Sequence, residues 1–251
     1  PKGLIAAALA NLGERFGFYT MMAILVLFLQ AKFGMNGKEA GFIYSTFYFS
    51  IYILALVGGI IADKTRNYKG TIFTGIVLMA VGYLLLAIPS KTPVDNKMLY
   101  LVITCASLFV IAFGNGLFKG NLQALVGQMY DNPQYANMRD SGFSLFYMFI
   151  NIGAIFAPVA AVGVRNWGLS TFCFNYDADL PALCHGQLAG TLSPEATETY
   201  HTLVTKASTA PVQDYTAFAS DYLNVFTTGF HYAFGVAIIA MAISLTIYWL
   251  N

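Results

Sequence analysis

The sequence predicts an all-α membrane protein built from six membrane-spanning helices. Of its 251 residues, 57% are hydrophobic and only 10% are charged, whereas soluble domains carry about 25% charged residues. The mean hydropathy is +0.63. Six apolar runs are long enough to cross a bilayer, which takes about 20 residues per helix. These runs are Gly3–Ala31, Ala40–Ala62, Gly70–Ile88, Met98–Met129, Ser141–Val164 and Gly229–Leu250.

The spacing of these runs divides the chain into three parts. Residues 1–164 hold the first five predicted helices, residues 165–228 form one long polar loop, and residues 229–251 hold the sixth helix. The loop carries half of the twelve acidic residues. Because Ser193 is a good N-cap and Pro194 suits a first helical position, we expect a surface helix from Pro194 to Ala207. A second is expected from Val212 to Phe226.

Several classes of function lack support in the sequence. The net charge is +1 and Lys and Arg are not clustered, which argues against a nucleic-acid partner. There is no nucleotide-binding glycine motif, no nucleophile–base pair, and the three histidines are scattered. We therefore expect no metal, no cofactor and no enzymatic activity. Cys173 and Cys184 can form a disulfide if their loop is extracytoplasmic, but spacing alone does not settle the pairing.

Three charged side chains fall well inside the predicted spans. They are Glu14, Arg15 and Lys119, and each costs about 2.5 to 3.5 kcal/mol to insert at a bilayer centre. One interpretation is a buried ion pair that only fixes helix packing. The other is a polar cavity inside the bundle, which such residues usually line.

Helical spacing favours the cavity. Residues four apart share a helix face, and four predicted helices carry polar or phenolic stripes. These are Asn11, Arg15 and Tyr19; Tyr44, Tyr48 and Tyr52; Asn115, Lys119 and Gln123; and Tyr147 with Asn151. Ordinary aromatic packing would also explain the tyrosines. Glu14 lies about 100° round its helix from Arg15. Two cations and one carboxylate give the cavity a charge of +1, which suits an anionic group such as a carboxylate.

Four sequence motifs resemble those of the proton-dependent oligopeptide transporter family, in the major facilitator superfamily. In family order, the stretches are NLGERFGFY, GGIIADKTRNYKGTI, GNGLFKGNLQALVGQMY and FYMFINIGAIFAP. The family fold has twelve spans in two six-helix bundles. The resemblance therefore implies that this chain is the N-terminal bundle of a longer protein in the cell membrane. It also implies a cytoplasmic N-terminus and an extracytoplasmic loop 165–228.

The resemblance implies roles for individual residues. Arg15 and Lys119 match cations that meet the peptide carboxylate and take part in proton coupling. Glu14 matches a proton-coupling carboxylate. The other matching positions are Tyr19 and Tyr52 in the substrate cavity, Asn151 on the fifth helix, and Asp63 in the gating loop between helices two and three.

The sequence departs from the family pattern at three positions. Asn11 stands where the first motif carries a glutamate, Phe18 stands for a tyrosine, and Asn67 stands for a glycine. An asparagine cannot carry a proton, so Glu14 is the remaining proton-coupling candidate in this half.

The function predicted from the resemblance is symport of protons with di- or tripeptides by alternating access. The expected partners are short peptides, protons, lipid and a second six-helix bundle, and loop 165–228 is a candidate contact for a protein partner. Two alternatives remain open. One is a transport-inactive scaffold subunit, and the other is a family member that carries another small anionic substrate.

Overall fold

The computed structural model describes residues 1 and 3–250, which form a helical bundle. Its helices α1 to α8 are Gly3–Phe33, Gly37–Thr65, Tyr68–Ala87, Lys97–Gln128, Arg139–Thr171, Leu180–Ala189, Pro194–Ala207 and Tyr215–Trp249. Within the described residues there is no β-strand, only an isolated bridge between Phe174 and Ser208. Helices α1 to α5 and α8 are long and apolar enough to cross a membrane, which confirms the six predicted spans.

Local signals in the sequence set the turns between the first three helices. Gly34 ends α1 in a left-handed conformation (φ 62°), which glycine adopts without steric cost. Asn36 then caps α2 and forms a capping box with Glu39. At the next turn, Arg66 is left-handed (φ 51°). Asn67 accepts a hydrogen bond from the Gly70 amide and so caps α3.

Helix α1 lies at the centre of the bundle. It packs mainly against α5 and α8, while α3 packs against α4 and α8, and α2 packs against α4. Helices α2 and α5 are the least buried of the six spans. Large apolar side chains such as Leu56 on α2 and Val159 on α5 are more than 60% exposed, so these two helices present uncovered apolar surface.

Glycines allow α4 to approach its neighbours closely. A Cβ placed on Gly116 would lie 2.5 Å from the carbonyl carbon of Leu54 on α2, and one on Gly114 would lie 2.6 Å from the carbonyl oxygen of Gly75 on α3. Small residues at helix contacts are typical of membrane bundles. The contact at Gly116 brings the following turn of α4, which carries Lys119, next to α2.

The helices extend beyond the apolar runs at both ends of the long polar loop. Helix α5 continues past Val164 to Thr171, and α8 begins at Tyr215, so the predicted surface helix there is continuous with the sixth span. Helix α7 occupies the predicted range Pro194–Ala207, with Ser193 as its N-cap. The short helix α6 was not predicted from the sequence.

Two more cations are buried than the sequence predicted. Lys32 and Arg165 each follow the last residue of a predicted span, yet they lie within α1 and α5 and are only 2% and 4% exposed. Each lies near a helix end that another part of the chain covers. Lys32 meets the α3–α4 loop at Ser90, and the Arg165 guanidinium lies 3.7 Å from the centre of the Tyr176 ring. Hydropathy along the chain does not reveal such coverage.

The disulfide that the sequence allowed is absent from the structure, where Cys173 and Cys184 are free thiols. Cys173 is exposed just after α5, whereas Cys184 lies on α6 and is fully buried in the core. Burial raises the pKa of the Cys184 thiol to about 12. The two thiols therefore lie in different environments, and Cys184 acts as a core residue.

Candidate functional site

A buried ion pair occupies the middle of α1. Glu14 is 0% exposed and Arg15 is 4% exposed. Arg15 Nη2 donates to Glu14 Oε1 at 2.7 Å, and Arg15 Nε donates to the other carboxylate oxygen, Oε2. Although the Cα–Cβ directions of adjacent residues diverge by about 100°, these long side chains converge. Over residues 3–250 this is the only ion pair.

Helix α4 supplies a third member of this cluster. Asn115 is fully buried and its Nδ2 donates to Glu14 Oε1 at 2.8 Å. Glu14 therefore accepts three hydrogen bonds, two of them from a cation. A buried carboxylate with these partners is far better stabilised than one in contact with hydrocarbon, because its charge is paired and its oxygens are satisfied.

Several polar atoms at the centre of the bundle lack a hydrogen-bond partner among the residues that the structure describes. They include Asn11 Nδ2, Asn115 Oδ1 and the hydroxyl of Tyr83 on α3. Buried polar groups are usually paired, so these atoms mark sites where the bundle can accept another hydrogen-bonding group. Tyr83 was not predicted from the sequence. It lies four residues after Met79, whose sulfur lies 3.9 Å from Asn115 Nδ2, so both side chains share the face of α3 that meets α4.

Lys119 has no carboxylate partner in the described part of the chain. It is half-buried, and its Nζ lies 5.4 Å from the centre of the Tyr52 ring. The Tyr52 hydroxyl donates to that of Tyr48 at 3.1 Å. Both tyrosines are about half exposed. The stripes predicted on helices two and four therefore meet at Lys119 and Tyr52, through a cation–π contact.

Tyr19 is half-buried and lies beside Phe18, with ring centres 5.5 Å apart in an edge-on arrangement. Phe18 in turn lies 5.0 Å from the Arg15 guanidinium and 6.4 Å from the Phe47 ring on α2. Phe18, where the family pattern has a tyrosine, thus joins the buried pair to the aromatic residues of α2 without offering a hydroxyl.

Asn151 lies apart from the two cations. It is exposed on α5 and makes no side-chain hydrogen bond within the described ranges. Two residues further on, Gly153 packs against α1, where an added Cβ would lie 2.9 Å from the Leu12 carbonyl oxygen. The helices cross closely at this level, but the structure does not join Asn151 to Arg15 or Lys119.

Asp63 lies at the far end of α2, outside this cluster. Its carboxylate is exposed and accepts a hydrogen bond from the Tyr68 hydroxyl at the start of α3. This contact spans the tight turn that Arg66 and Asn67 form, so Asp63 ties the two helices together at their connection.

The comparisons with known proteins agree on one family. The family model described as "PTR2: POT family" matches residues 69–251. The chain is 35% identical over 162 residues to dipeptide and tripeptide permease A of Enterobacter sp. (strain 638), covering 64% of this chain and 30% of the relative. It is 33% identical over 177 residues to the di-/tripeptide transporter of Lactococcus lactis subsp. lactis (strain IL1403), covering 68% and 33%.

Solved structures give the same result. The chain matches a crystal structure of peptide transporter POT in complex with sulfate, with a TM-score of 0.64 and 26% identity. A mutant of peptide transporter POT in complex with alafosfalin matches with a TM-score of 0.66 and 26% identity. Each match covers 100% of this chain and 37% or 38% of the other. The chain thus spans about a third of the length of the relatives it matches.

Proposed function

The chain belongs to the POT family, and from that premise we propose that it forms the N-terminal bundle of a proton-coupled symporter of di- or tripeptides. In this proposal, transport proceeds by alternating access, in which two bundles rock about a shared central site. The protein lies in the cell membrane, with a cytoplasmic N-terminus and with loop 165–228 outside.

The observation that carries this proposal is the half-exposed Lys119 beside Tyr52. A cation that is partly inside a membrane bundle, and that has no carboxylate partner in the described part of the chain, favours an anionic ligand, because pairing would recover much of its desolvation cost. The carboxylate of a short peptide meets that requirement. In the proposal, Lys119 holds this carboxylate while Tyr19, Tyr52 and Asn151 contact the rest of the peptide.

In this proposal, Glu14 and Arg15 couple proton uptake to peptide binding. While Glu14 is ionised, its oxygens hold the Arg15 guanidinium within the bundle. Protonation would remove the charge from Glu14 and weaken both hydrogen bonds from Arg15. The freed guanidinium could then pair with the substrate carboxylate, so proton uptake and peptide binding would favour the same state.

The uncovered apolar surfaces of α2 and α5 support an additional partner. We propose that a second six-helix bundle packs there and completes the substrate cavity. Asp63 belongs to the gating turn on the cytoplasmic side, where its bond to Tyr68 would open and re-form as the bundles rock. Loop 165–228 remains a candidate contact for a protein partner.

Uptake of a labelled dipeptide into proteoliposomes tests the proposal. The full-length protein is expected to accumulate dipeptide when an inward proton gradient is applied, and Lys119→Ala is expected to abolish this uptake. Lys38→Ala is a matched control, because Lys38 is exposed at the start of α2. Absence of uptake by correctly folded wild-type protein would overturn the proposed function. Full uptake by Lys119→Ala would overturn the role of that lysine.

A second candidate function is transport of another small anion, which the unpaired charge of Lys119 also favours. Competition separates the two, since unlabelled dipeptide but not a simple monocarboxylate should block uptake by a peptide transporter. The reverse order of competition would favour the second candidate.

A further inference from the structure

A cavity of about 240 Å³ lies at the C-terminal end of α1, away from the proposed peptide site. We call it the Lys32 cavity. Phe28, Phe33, Leu86 and Ile103 form its apolar walls, and Lys32 and His231 contribute polar groups. An engineered apolar cavity of about 150 Å³ is large enough to bind benzene. The Lys32 cavity is therefore large enough for a small aromatic molecule.

Lys32 offers no free hydrogen to a ligand. Its Nζ donates to the Ser90 carbonyl at 2.5 Å, to the Thr92 hydroxyl at 2.9 Å and to the Lys91 carbonyl at 3.3 Å. An ammonium has three hydrogens, so these bonds use all of them. The positive charge remains and disfavours a cationic ligand.

His231 offers an acceptor to the cavity. Its Nδ1 lies 2.6 Å from the Leu86 carbonyl oxygen. A carbonyl oxygen can only accept, so Nδ1 carries the proton and Nε2 of the neutral ring keeps a lone pair. Nε2 has no hydrogen-bond partner within residues 3–250, and the residue is only 4% exposed. A buried acceptor without a partner on a cavity wall is well placed to accept a hydrogen bond from a ligand.

Two hydroxyl groups on the cavity wall also offer hydrogen-bond acceptors to a ligand. Thr104 Oγ1 donates to the Tyr100 carbonyl at 2.9 Å, and Ser107 Oγ donates to the Ile103 carbonyl at 2.7 Å. Both hydrogens are thereby used within α4, which leaves acceptor lone pairs. The Lys32 cavity thus combines apolar walls with acceptors and a fixed positive charge.

From this combination we infer that the Lys32 cavity binds a small neutral molecule with an apolar body and one hydroxyl or N–H donor, held by a hydrogen bond to His231 Nε2. Leu85, Ile88 and Ile103 at the edge of the cavity are 39–55% exposed. These side chains lie on membrane-spanning helices or next to one, so the ligand enters from the bilayer. This site is independent of the proposed peptide site and does not depend on the proposed function.

Solid-state NMR of the full-length protein in lipid, with ¹⁵N-labelled histidine, tests the inference. Phenol is the probe, and anisole is the matched molecule that lacks the donor. Phenol is expected to shift one Nε2 resonance, and that resonance should be missing from the spectrum of His231→Gln. Anisole is expected to bind roughly tenfold more weakly than phenol, because one hydrogen bond is lost. His201→Gln is the control, because His201 lies on α7 and does not line the cavity.

Two further variants, which fill the cavity or narrow its entrance, check that phenol acts from inside it. Ser107→Leu fills the cavity from its buried wall, and Ile103→Trp narrows its entrance at a position that is already 40% exposed. Either variant should abolish the phenol-induced shift if it folds, and Ile103→Trp is the less disruptive of the two. Equal effects of phenol and anisole, or a phenol shift that survives both variants, would overturn the inference. Absence of any phenol-induced shift in the wild-type protein would also overturn it.

Discussion

Asn115 and Glu14 are joined across the contact of α4 with α1 by a hydrogen bond of 2.8 Å. Replacing Asn115 with Ala would leave Glu14 Oε1 with Arg15 Nη2 as its single partner. We expect a loss of about 1.5 to 3 kcal/mol in the free energy of unfolding, the usual worth of a hydrogen bond to a charged group. Denaturant titration of the purified protein measures it. Asn151→Ala, at an exposed position without a side-chain hydrogen bond in the described part of the chain, serves as the control, and an equal loss in both variants would contradict the prediction.

The Glu14–Arg15 pair should show strong coupling in a double-mutant cycle. Glu14→Gln alone leaves a buried guanidinium without its counter-ion, and Arg15→Met alone leaves a buried carboxylate. Each is expected to cost about 3 to 5 kcal/mol of stability. The double variant should cost much less than the sum, because neither charge remains. Additive losses would mean that the two side chains act independently, contrary to their contact in the structure.

Tyr52 is predicted to act on Lys119 through its ring rather than its hydroxyl. Tyr52→Phe keeps the ring 5.4 Å from the ammonium and should change dipeptide affinity little. Tyr52→Leu removes the ring and should weaken affinity by about 0.5 to 1 kcal/mol, or two- to fivefold. Binding measured by calorimetry in detergent distinguishes the two. A larger loss for Tyr52→Phe than for Tyr52→Leu would assign the effect to the hydroxyl.

His185 makes stability depend on pH. Its Nε2 lies 2.7 Å from the Ala31 carbonyl oxygen, but burial lowers the pKa of His185 from its usual value of 6.5. The unfolded chain therefore takes up a proton at a higher pH than the folded protein does. Stability is retained above about pH 6.5 and declines as the pH falls through 6.5 towards the lowered pKa of the folded state.

Thermal unfolding between pH 7.5 and 5.5 measures this effect. His185→Gln should flatten the acid-side decline relative to the wild type, because glutamine can still donate to Ala31 but does not titrate. The prediction is wrong if His185→Gln retains the full decline.

Gly116 is predicted to tolerate no side chain. An added Cβ would lie 2.5 Å from the Leu54 backbone, so Gly116→Ala forces α4 away from α2 and should cost about 1 to 3 kcal/mol. Gly120→Ala, on the same helix with nothing within 4 Å of an added Cβ, should change stability little. Comparable unfolding midpoints for the two variants would refute the close approach.

The sequence alone predicted the six spans well, because a bilayer requires long apolar helices and leaves few alternatives. It also singled out Glu14, Arg15 and Lys119, since charge inside such helices is costly. It did not predict that Asn115 binds Glu14, because one helix does not specify the rotation of its neighbour. Burial of Lys32 and Arg165 was missed for a related reason, as the covering segments lie far away in the chain.

Because Lys32 makes three hydrogen bonds, the chemical reactivity of its amine reports how often the C-terminal end of α1 opens. An ammonium that is 2% exposed and has every hydrogen bound cannot react with an acylating reagent until it separates from residues 90–92. The rate at which Lys32 is acetylated, relative to exposed Lys91, would therefore record how often this end of the bundle opens. Mass spectrometry reads that rate directly, without an introduced label.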